Sequence, residues 1–220
     1  MHSNFSDIEK IRERLRQPLP GIAVQWEMTR RQYDLQQIKD WYAQLPPNHK
    51  KASVMALIYP KEGVWHTALM QRPESPYAHS RQVSFPGGSQ EKSDSSDETT
   101  ALRETEEEFG IPAAHIEVLG ALTPLYIPVS NFYVQPFVGF LPQTPSFQKD
   151  DNEVEEILET PLSWLLETER RKITNLSLTN DNVLRDVPYY DMHERKVWGA
   201  TAMILSEFAT VLHEAAFLSK

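Results

Sequence analysis

Arg103-Glu104-Thr105-Glu106-Glu107-Glu108-Phe109-Gly110-Ile111 sets three carboxylates, Glu104, Glu107 and Glu108, at positions i, i+3 and i+4. On a helix those positions share a face, where like charges cost roughly 0.2–0.5 kcal/mol per pair. Some partner has to offset that repulsion. A hard divalent cation is the most economical one, because Mg²⁺ and Mn²⁺ prefer carboxylate and carbonyl oxygen and work together with substrate phosphates. The helix is expected to start near Asp97, to pack through Ala101, Leu102, Thr105 and Phe109, and to stop at Gly110 as a C-cap.

Working outward, Phe85-Pro86-Gly87-Gly88 marks a place where the backbone turns sharply or approaches something closely. Before it, Ala52–Tyr59 and Val64–Met70 are β-rich runs separated by Pro60-Lys61-Glu62-Gly63, which reads as a hairpin. After the helix, 116–127 and 132–140 read as strands, 142–151 as a loop and 153–158 as a further strand. Pro161–Leu166 follows as a short helix, and Ala200–Phe217 as a long terminal one. Ser6-Asp7-Ile8-Glu9 opens an N-terminal helix carrying Ile8, Ile11 and Leu15, stopped by Pro18 and Pro20, and Leu35–Leu45 gives another. Residues 1–48 are thus expected to be a partly helical N-terminal extension, and 49–220 the main domain. Strands before and after the central helix favour an α/β fold, a mixed sheet with helices on its faces.

Composition narrows the classes of function. The chain has 220 residues, no cysteine and 40% hydrophobic residues, so disulfides, thiol catalysis and thiolate metal sites are excluded. No apolar run approaches the roughly 18 residues of a membrane span, and the N-terminus lacks the basic and apolar regions of a secretory signal. The expectation is a cytoplasmic protein with no membrane partner. A net charge of −9 argues against a nucleic-acid partner. The segment between Gly87 and Gly110 alone holds eight acidic residues against Lys92 and Arg103, and would repel an anionic ligand unless cations reversed the local field. A homo-oligomer is left open.

The segment resembles the Nudix box, Gly-x5-Glu-x7-Arg-Glu-(apolar)-x-Glu-Glu-x-Gly-(apolar), and reads Gly88-x5-Asp94-x8-Arg103-Glu104-Thr105-x-Glu107-Glu108-x-Gly110-Ile111. It departs at Asp94, at the extra residue before Arg103 and at Thr105. Upstream, His79-Ser80-Arg81-Gln82-Val83-Ser84-Phe85-Pro86-Gly87-Gly88 is similar to the signature of a Nudix subgroup that hydrolyses coenzyme A, with Arg81 where that signature has glycine. Leu69-Met70-Gln71-Arg72 and Lys196-Val197-Trp198-Gly199-Ala200-Thr201 are similar to further motifs of the subgroup.

The resemblance implies an α/β/α sandwich and a Mg²⁺- or Mn²⁺-dependent pyrophosphatase. Its substrate would be coenzyme A or an acyl derivative, cleaved to 3′,5′-ADP and 4′-phosphopantetheine. Chemically, hydrolysis of a diphosphate requires charge neutralisation, an in-line water and removal of its proton. Glu107 and Glu108 are the first candidate metal ligands, Glu104 a ligand or base, and the Gly88 carbonyl an addition from the loop. Arg103 can pair with a carboxylate and fix its rotamer. The general base stays unassigned, with Glu153 in a later acidic loop a secondary candidate. Arg72 is expected to face the phosphates; His79, Gln82 and Phe85 complete the candidate substrate-binding set. Two alternatives stay open: a Nudix pyrophosphatase for ADP-ribose or another nucleoside diphosphate derivative, and a non-catalytic nucleotide-binding module of the same fold. His79 also reads as a surface loop residue, Trp198-Gly199 as packing, and Arg30, Arg31 and Lys51 as ordinary solvated cations.

Overall fold

Ile8, Ile11 and Leu15 fall one turn apart and line the buried side of α1 (Phe5–Leu15), which ends ahead of Pro18. In this computed structural model, which describes residues 5–29, 34–74, 81–177 and 183–215, the N-terminal segment continues through α2 (Ile22–Gln25), a 3-10 turn at Trp26–Met28 and α3 (Leu35–Ala43). The three α1 side chains pack into the same apolar cluster as the terminal helix, so residues 5–15 share a core with the main domain.

β1 (Lys50–Lys61) and β2 (Val64–Gln71) form a hairpin with Lys61 opposite Val64, leaving only Glu62 and Gly63 in the turn, both at positive φ (51° and 78°). Pro60 and Lys61, expected in the turn, belong to the strand. Two short strands follow, β3 (Val83–Ser84) against β2 and β4 (Gly87–Ser89) against β1, before α4 (Asp97–Phe109). The run expected as one strand over 116–127 is broken into β5 (Glu117–Ala121) and β6 (Leu125–Ile127). The break has a local cause: the Thr123 N–H donates to the carboxylate of Glu207 instead of to a strand, and Pro124 has no N–H to give.

β7 (Phe132–Phe140) lies parallel to β1, and β8 (Glu156–Pro161) antiparallel to β2. β8 starts three residues later than expected, which leaves Glu153 in a turn whose Glu153 N–H donates to the Asp150 carbonyl. Together these strands make one mixed eight-stranded sheet with the path β3-β2-β1-β7-β5. Leu162–Leu166 forms a 3-10 turn after β8. β9 (Arg171–Ser177), β10 (Val183–Met192) and β11 (Arg195–Trp198) then make a separate antiparallel sheet, which leads into α5 (Gly199–Glu214).

Alternation along the strands divides the core. Ala56, Ile58, Leu69, Val138 and Leu158 face α1 and α5, whereas Met55, Leu57, Ala68, Met70 and Phe137 face Ala101 and Phe109 of α4. The result is the α/β/α arrangement with a mixed sheet and an N-terminal helix. It fixes α4 across β1, with its glutamates over β4 and the end of β2. No helix among the described residues is long and apolar enough to cross a membrane.

Candidate active site

α4 is anchored at both ends. The Ser96 side chain accepts from the Thr99 N–H at 3.1 Å, Asp97 and Glu98 sit in the first turn, and Gly110 closes the helix at φ 66° with its N–H on the Glu106 carbonyl at 2.9 Å. Thr105, on the buried side where the box has an apolar residue, satisfies its hydroxyl on the Ala101 carbonyl one turn back at 2.7 Å. The helix therefore keeps its register against β1, and that register aims the glutamates.

Glu108 is 1% exposed. The Gly87 N–H donates to its Oε2 at 2.7 Å, while Oε1 has no hydrogen-bond donor among the described residues, the nearest cation being Arg72 Nη2 at 3.6 Å. Glu104 lies one turn back and Glu153 enters from the turn before β8, so that carboxylate oxygens of Glu104, Glu108 and Glu153 all lie within 4.8 Å of one another. The loop carrying Glu153 is tied to the end of α4: the Gln148 N–H donates to the Phe109 carbonyl at 2.9 Å and the Asp150 N–H to that of Glu108 at 3.1 Å. Burial, with the neighbouring Glu104 and Glu153 charges adding to it, pushes the Glu108 carboxyl up to about 8 against the opposing Gly87 N–H and Arg72. Burial also raises Glu104, opposed by Arg103 and assisted by Glu107 and Glu153.

Both glycines of the turn are needed, for different reasons. A side chain at Gly87, which has φ 150°, would meet the Ser53 carbonyl oxygen at 2.3 Å, and one at Gly88 would meet the Glu104 carboxylate at 2.5 Å. Gly88 itself pairs with Ser53 of β1. The hydrogen bond to Glu108 and the approach of Glu104 thus both depend on bare backbone here.

Arg103 organises the outer side of the cluster. It makes paired bonds to Asp94, Nε to Oδ1 and Nη2 to Oδ2 at 3.0 Å each, and bonds Glu107 Oε2 at 2.8 Å and the Ser89 carbonyl at 3.0 Å. It also sits 3.0 Å from Glu104 Oε1. Arg103 is the main cause holding Asp94 down at about 2. The extra residue before Arg103 is absorbed in the loop, since Asp94, one atom shorter than Glu, still reaches the guanidinium. Glu107 points outward, 56% exposed and paired with Arg103, away from the cluster of the other three.

The remaining residues singled out from sequence divide in the same way. Arg72 is half-buried beside Glu108, with its Nη2 also 3.4 Å from the Gly87 carbonyl. Gln82 lies opposite it, the Arg72 N–H donating to the Gln82 carbonyl at 3.0 Å. Phe85 is 2% exposed and packs in the sheet core with Leu69 and Val83, so it anchors the turn and offers no open face to a ligand. His79 lies outside the described residues. Glu153 carried only a weak sequence signal, an acid in a polar loop; the apolar Val154 beside it, fully buried, is the residue that pins the loop.

These observations fit a divalent cation. The donor set is hard carboxylate oxygen, one of its oxygens is buried without a donor among the described residues, and Arg72 and Arg103 are the cations beside the three close carboxylates.

Comparison with known proteins gives the family of the chain. The NUDIX domain model matches residues 49–186. An uncharacterized Nudix hydrolase NudL of Shigella flexneri serotype 5b is 34% identical over 166 residues, 74% of this chain and 83% of the relative. Its counterpart in Escherichia coli K12 is 34% identical over 164 residues, 74% of this chain and 82% of the relative. Among solved structures, a MutT/nudix family protein from Enterococcus faecalis superposes with a TM-score of 0.48 at 21% identity, over 89% of this chain and 76% of that one. A C. elegans Ap4A hydrolase does so with a TM-score of 0.44 at 18% identity, over 52% and 81%. With the family model covering more than half of its length around the glutamate helix, the chain belongs to the Nudix hydrolase family.

Proposed function

We propose that this Nudix hydrolase cleaves the diphosphate of coenzyme A or an acyl-coenzyme A, releasing 3′,5′-ADP and the (acyl-)4′-phosphopantetheine. The observation that carries the reaction type is the convergence of Glu104, Glu108 and Glu153 with the unpartnered Glu108 Oε1. The choice of coenzyme A rests on the His79–Gly88 stretch that leads into this site and on its similarity to the coenzyme A subgroup.

In this reading Glu104 and Glu108 would hold Mg²⁺ or Mn²⁺, which would neutralise charge on the diphosphate oxygens and acidify water. Arg72, on the same side as Glu108, takes a non-bridging phosphate oxygen by its exposed guanidinium edge. The Gly87 N–H and Arg103 hold Glu108 and Glu104 in place before substrate arrives, so little reorganisation accompanies the reaction. Glu153, the exposed carboxylate of the three, is the one open to water and accepts its proton.

The deciding experiment is turnover of coenzyme A, acetyl-coenzyme A and ADP-ribose with Mg²⁺ and with Mn²⁺, the products identified by mass. Coenzyme A should give 3′,5′-ADP and 4′-phosphopantetheine at the highest kcat/KM. ADP-ribose turned over far more efficiently than coenzyme A would overturn the substrate assignment and leave the reaction class standing.

A further inference from the structure

Glu153 stands where its own charge does not favour it. It is exposed, and its carboxylate lies within 4.8 Å of those of Glu104 and Glu108. Burial raises both of those carboxyls, and the Glu153 charge adds to the effect. Like charges at that separation repel, so the place of Glu153 in the cluster depends on how firmly the backbone on either side of it is fixed. Upstream, the Asp150 N–H is on the Glu108 carbonyl at 3.1 Å, the Val154 N–H on the Asp150 carbonyl at 2.8 Å, and Lys149 Nζ on the Val154 carbonyl at 2.9 Å. Downstream, the chain is taken up by Gln71, the last residue of β2.

Gln71 is 4% exposed and shares a face of β2 with Leu69, away from α4. An apolar side chain could fill such a position alone, whereas a buried amide needs partners. Gln71 finds them on both sides. Its carbonyl accepts the Glu155 N–H at 2.9 Å, and its Nε2 donates to Glu155 Oε2 at 3.3 Å. Its Oε1 accepts from Arg195 Nε at 2.6 Å, and Arg195, on β11, also bonds Glu156 Oε2 at 2.9 Å and the His193 carbonyl at 3.2 Å. Main chain and side chain of Gln71 thus hold the two ends of one residue, Glu155, and Arg195 ties that hold to the separate β9–β11 sheet. Gln71 faces away from the carboxylate cluster, so its influence runs along the chain, from Glu155 through the buried Val154 to Glu153.

We propose that Gln71 is a positioning residue, which keeps Glu153 beside Glu104 and Glu108 by fixing Glu155. The inference rests on the reading of Glu153 above as the group that takes the proton from water.

The test uses Gln71→Met, which keeps the length of the side chain and removes both amide bonds, and the paired exchange Gln71→Glu/Glu155→Gln, which reverses donor and acceptor, leaves the net charge unchanged and keeps an acceptor for Arg195. Thermal unfolding checks that each is folded; should Gln71→Met not fold, Glu155→Ala removes the same side-chain contact from its exposed end. In metal-free protein, hydrogen exchange over residues 150–155 should quicken about tenfold in Gln71→Met and return to within about twofold of wild type in the paired exchange. With Mg²⁺ and the substrate turned over best, kcat should fall roughly tenfold in Gln71→Met, as expected for a displaced catalytic group, with KM within about twofold, and should recover in the paired exchange. Placed on Glu153→Gln, Gln71→Met should cost less than about a further twofold, because the group it positions is already gone. Losses that multiply in that double variant, faster exchange with no loss of kcat, or no change in either would overturn the role of Gln71 and leave Glu153 as the base. Wild-type turnover in Glu153→Gln alone would overturn the reading of Glu153 and the positioning role with it.

Discussion

Glu108 and Glu207 are both glutamates on helices, and both are essentially out of solvent, at 1% and 0% exposure, but the protein treats them oppositely. Glu207 on α5 accepts four hydrogen bonds: Oε1 from the Gly21 N–H at 3.0 Å and Thr123 Oγ1 at 2.6 Å, and Oε2 from Gln25 Nε2 at 2.9 Å and the Thr123 N–H at 3.1 Å. Every donor comes from a different part of the chain than α5, so the carboxylate stitches the N-terminal segment and the β5–β6 break to the terminal helix. Glu108 accepts one bond and faces two more carboxylates. A buried acid with its donors supplied is a structural fastener, whereas one left short of donors beside like charges is waiting for a cation.

The comparison is most severely tested by exchanging each acid for a neutral residue. Glu108→Gln keeps an acceptor for the Gly87 N–H and removes the charge, so the fold should persist while kcat falls by roughly 10²–10³-fold, the scale of losing a preorganised electrostatic group. The metal-free variant should unfold at the same temperature as wild type or higher. Glu207→Ala should do the reverse. It takes the acceptor from the Gly21 N–H and from the N–H and hydroxyl of Thr123, and one of the two partners from Gln25 Nε2, each lost partner a penalty of roughly 1–3 kcal/mol, so a stability loss of about 3 kcal/mol or more is expected. Activity measured well below the midpoint should stay within about twofold of wild type. If Glu207→Ala instead abolished turnover in folded protein, the distinction drawn between the two acids would fail. Glu107→Gln belongs between them: Glu107 touches Arg103 and lies outside the cluster, so an intermediate loss of roughly tenfold is expected.

The difference also explains what sequence could reveal. Glu104 and Glu108 stand one turn apart on one helix, and their frustration is visible in the letters alone, as is the glycine pair that admits them. The sheet was legible where both faces are buried and the strand is an apolar run, as in β1, β2 and β7. Glu153 sits 45 positions beyond Glu108 in a polar loop, and its place beside Glu104 and Glu108 emerges only when Val154 and the Asp150 N–H dock that loop onto α4. The donors of Glu207 come from two segments far from it in sequence, 21–25 and Thr123, so nothing local announces it. β9 and the start of β10 are exposed on both faces, which erases the period-two alternation by which a strand is recognised. Residues 1–48 read as an extension because their helices are short and end at prolines. Their docking through Ile8, Ile11 and Leu15 is a tertiary fact.

The two turn glycines sharpen the same contrast on a smaller scale. Gly87→Ala drives a methyl into the Ser53 carbonyl, and rigid backbone on both sides should make this chiefly a stability loss of roughly 1–3 kcal/mol. Gly88→Ala meets first the movable end of Glu104. It should unfold nearly as wild type does, but with Glu104 pushed out of the cluster and kcat lowered by roughly tenfold or more. Thermal melts and turnover on the same preparations separate the two outcomes.

The smallest expected effect is in the pH dependence of the metal-free protein. The Glu108 carboxyl is held at about 8 in the fold against an ordinary 4.5, so the folded chain keeps a proton that the unfolded chain gives up. That contribution is complete below about 4.5 and is lost as pH rises through about 8, with Glu104 adding in the same direction. Asp94, held down at about 2, works the other way, but its contribution is complete above its ordinary 3.8 and disappears only as the solution becomes more acid. Between pH 5 and 8 the glutamate contribution therefore stands apart from that of Asp94, and the midpoint should fall by a few degrees, each kcal/mol being worth roughly 2–4 °C for a chain of this size. Glu108→Gln should flatten that slope, and saturating Mg²⁺ should too, because a cation stabilises the charged carboxylates that the empty fold resists. A slope unchanged by either would mean that Glu108 is as well satisfied as Glu207.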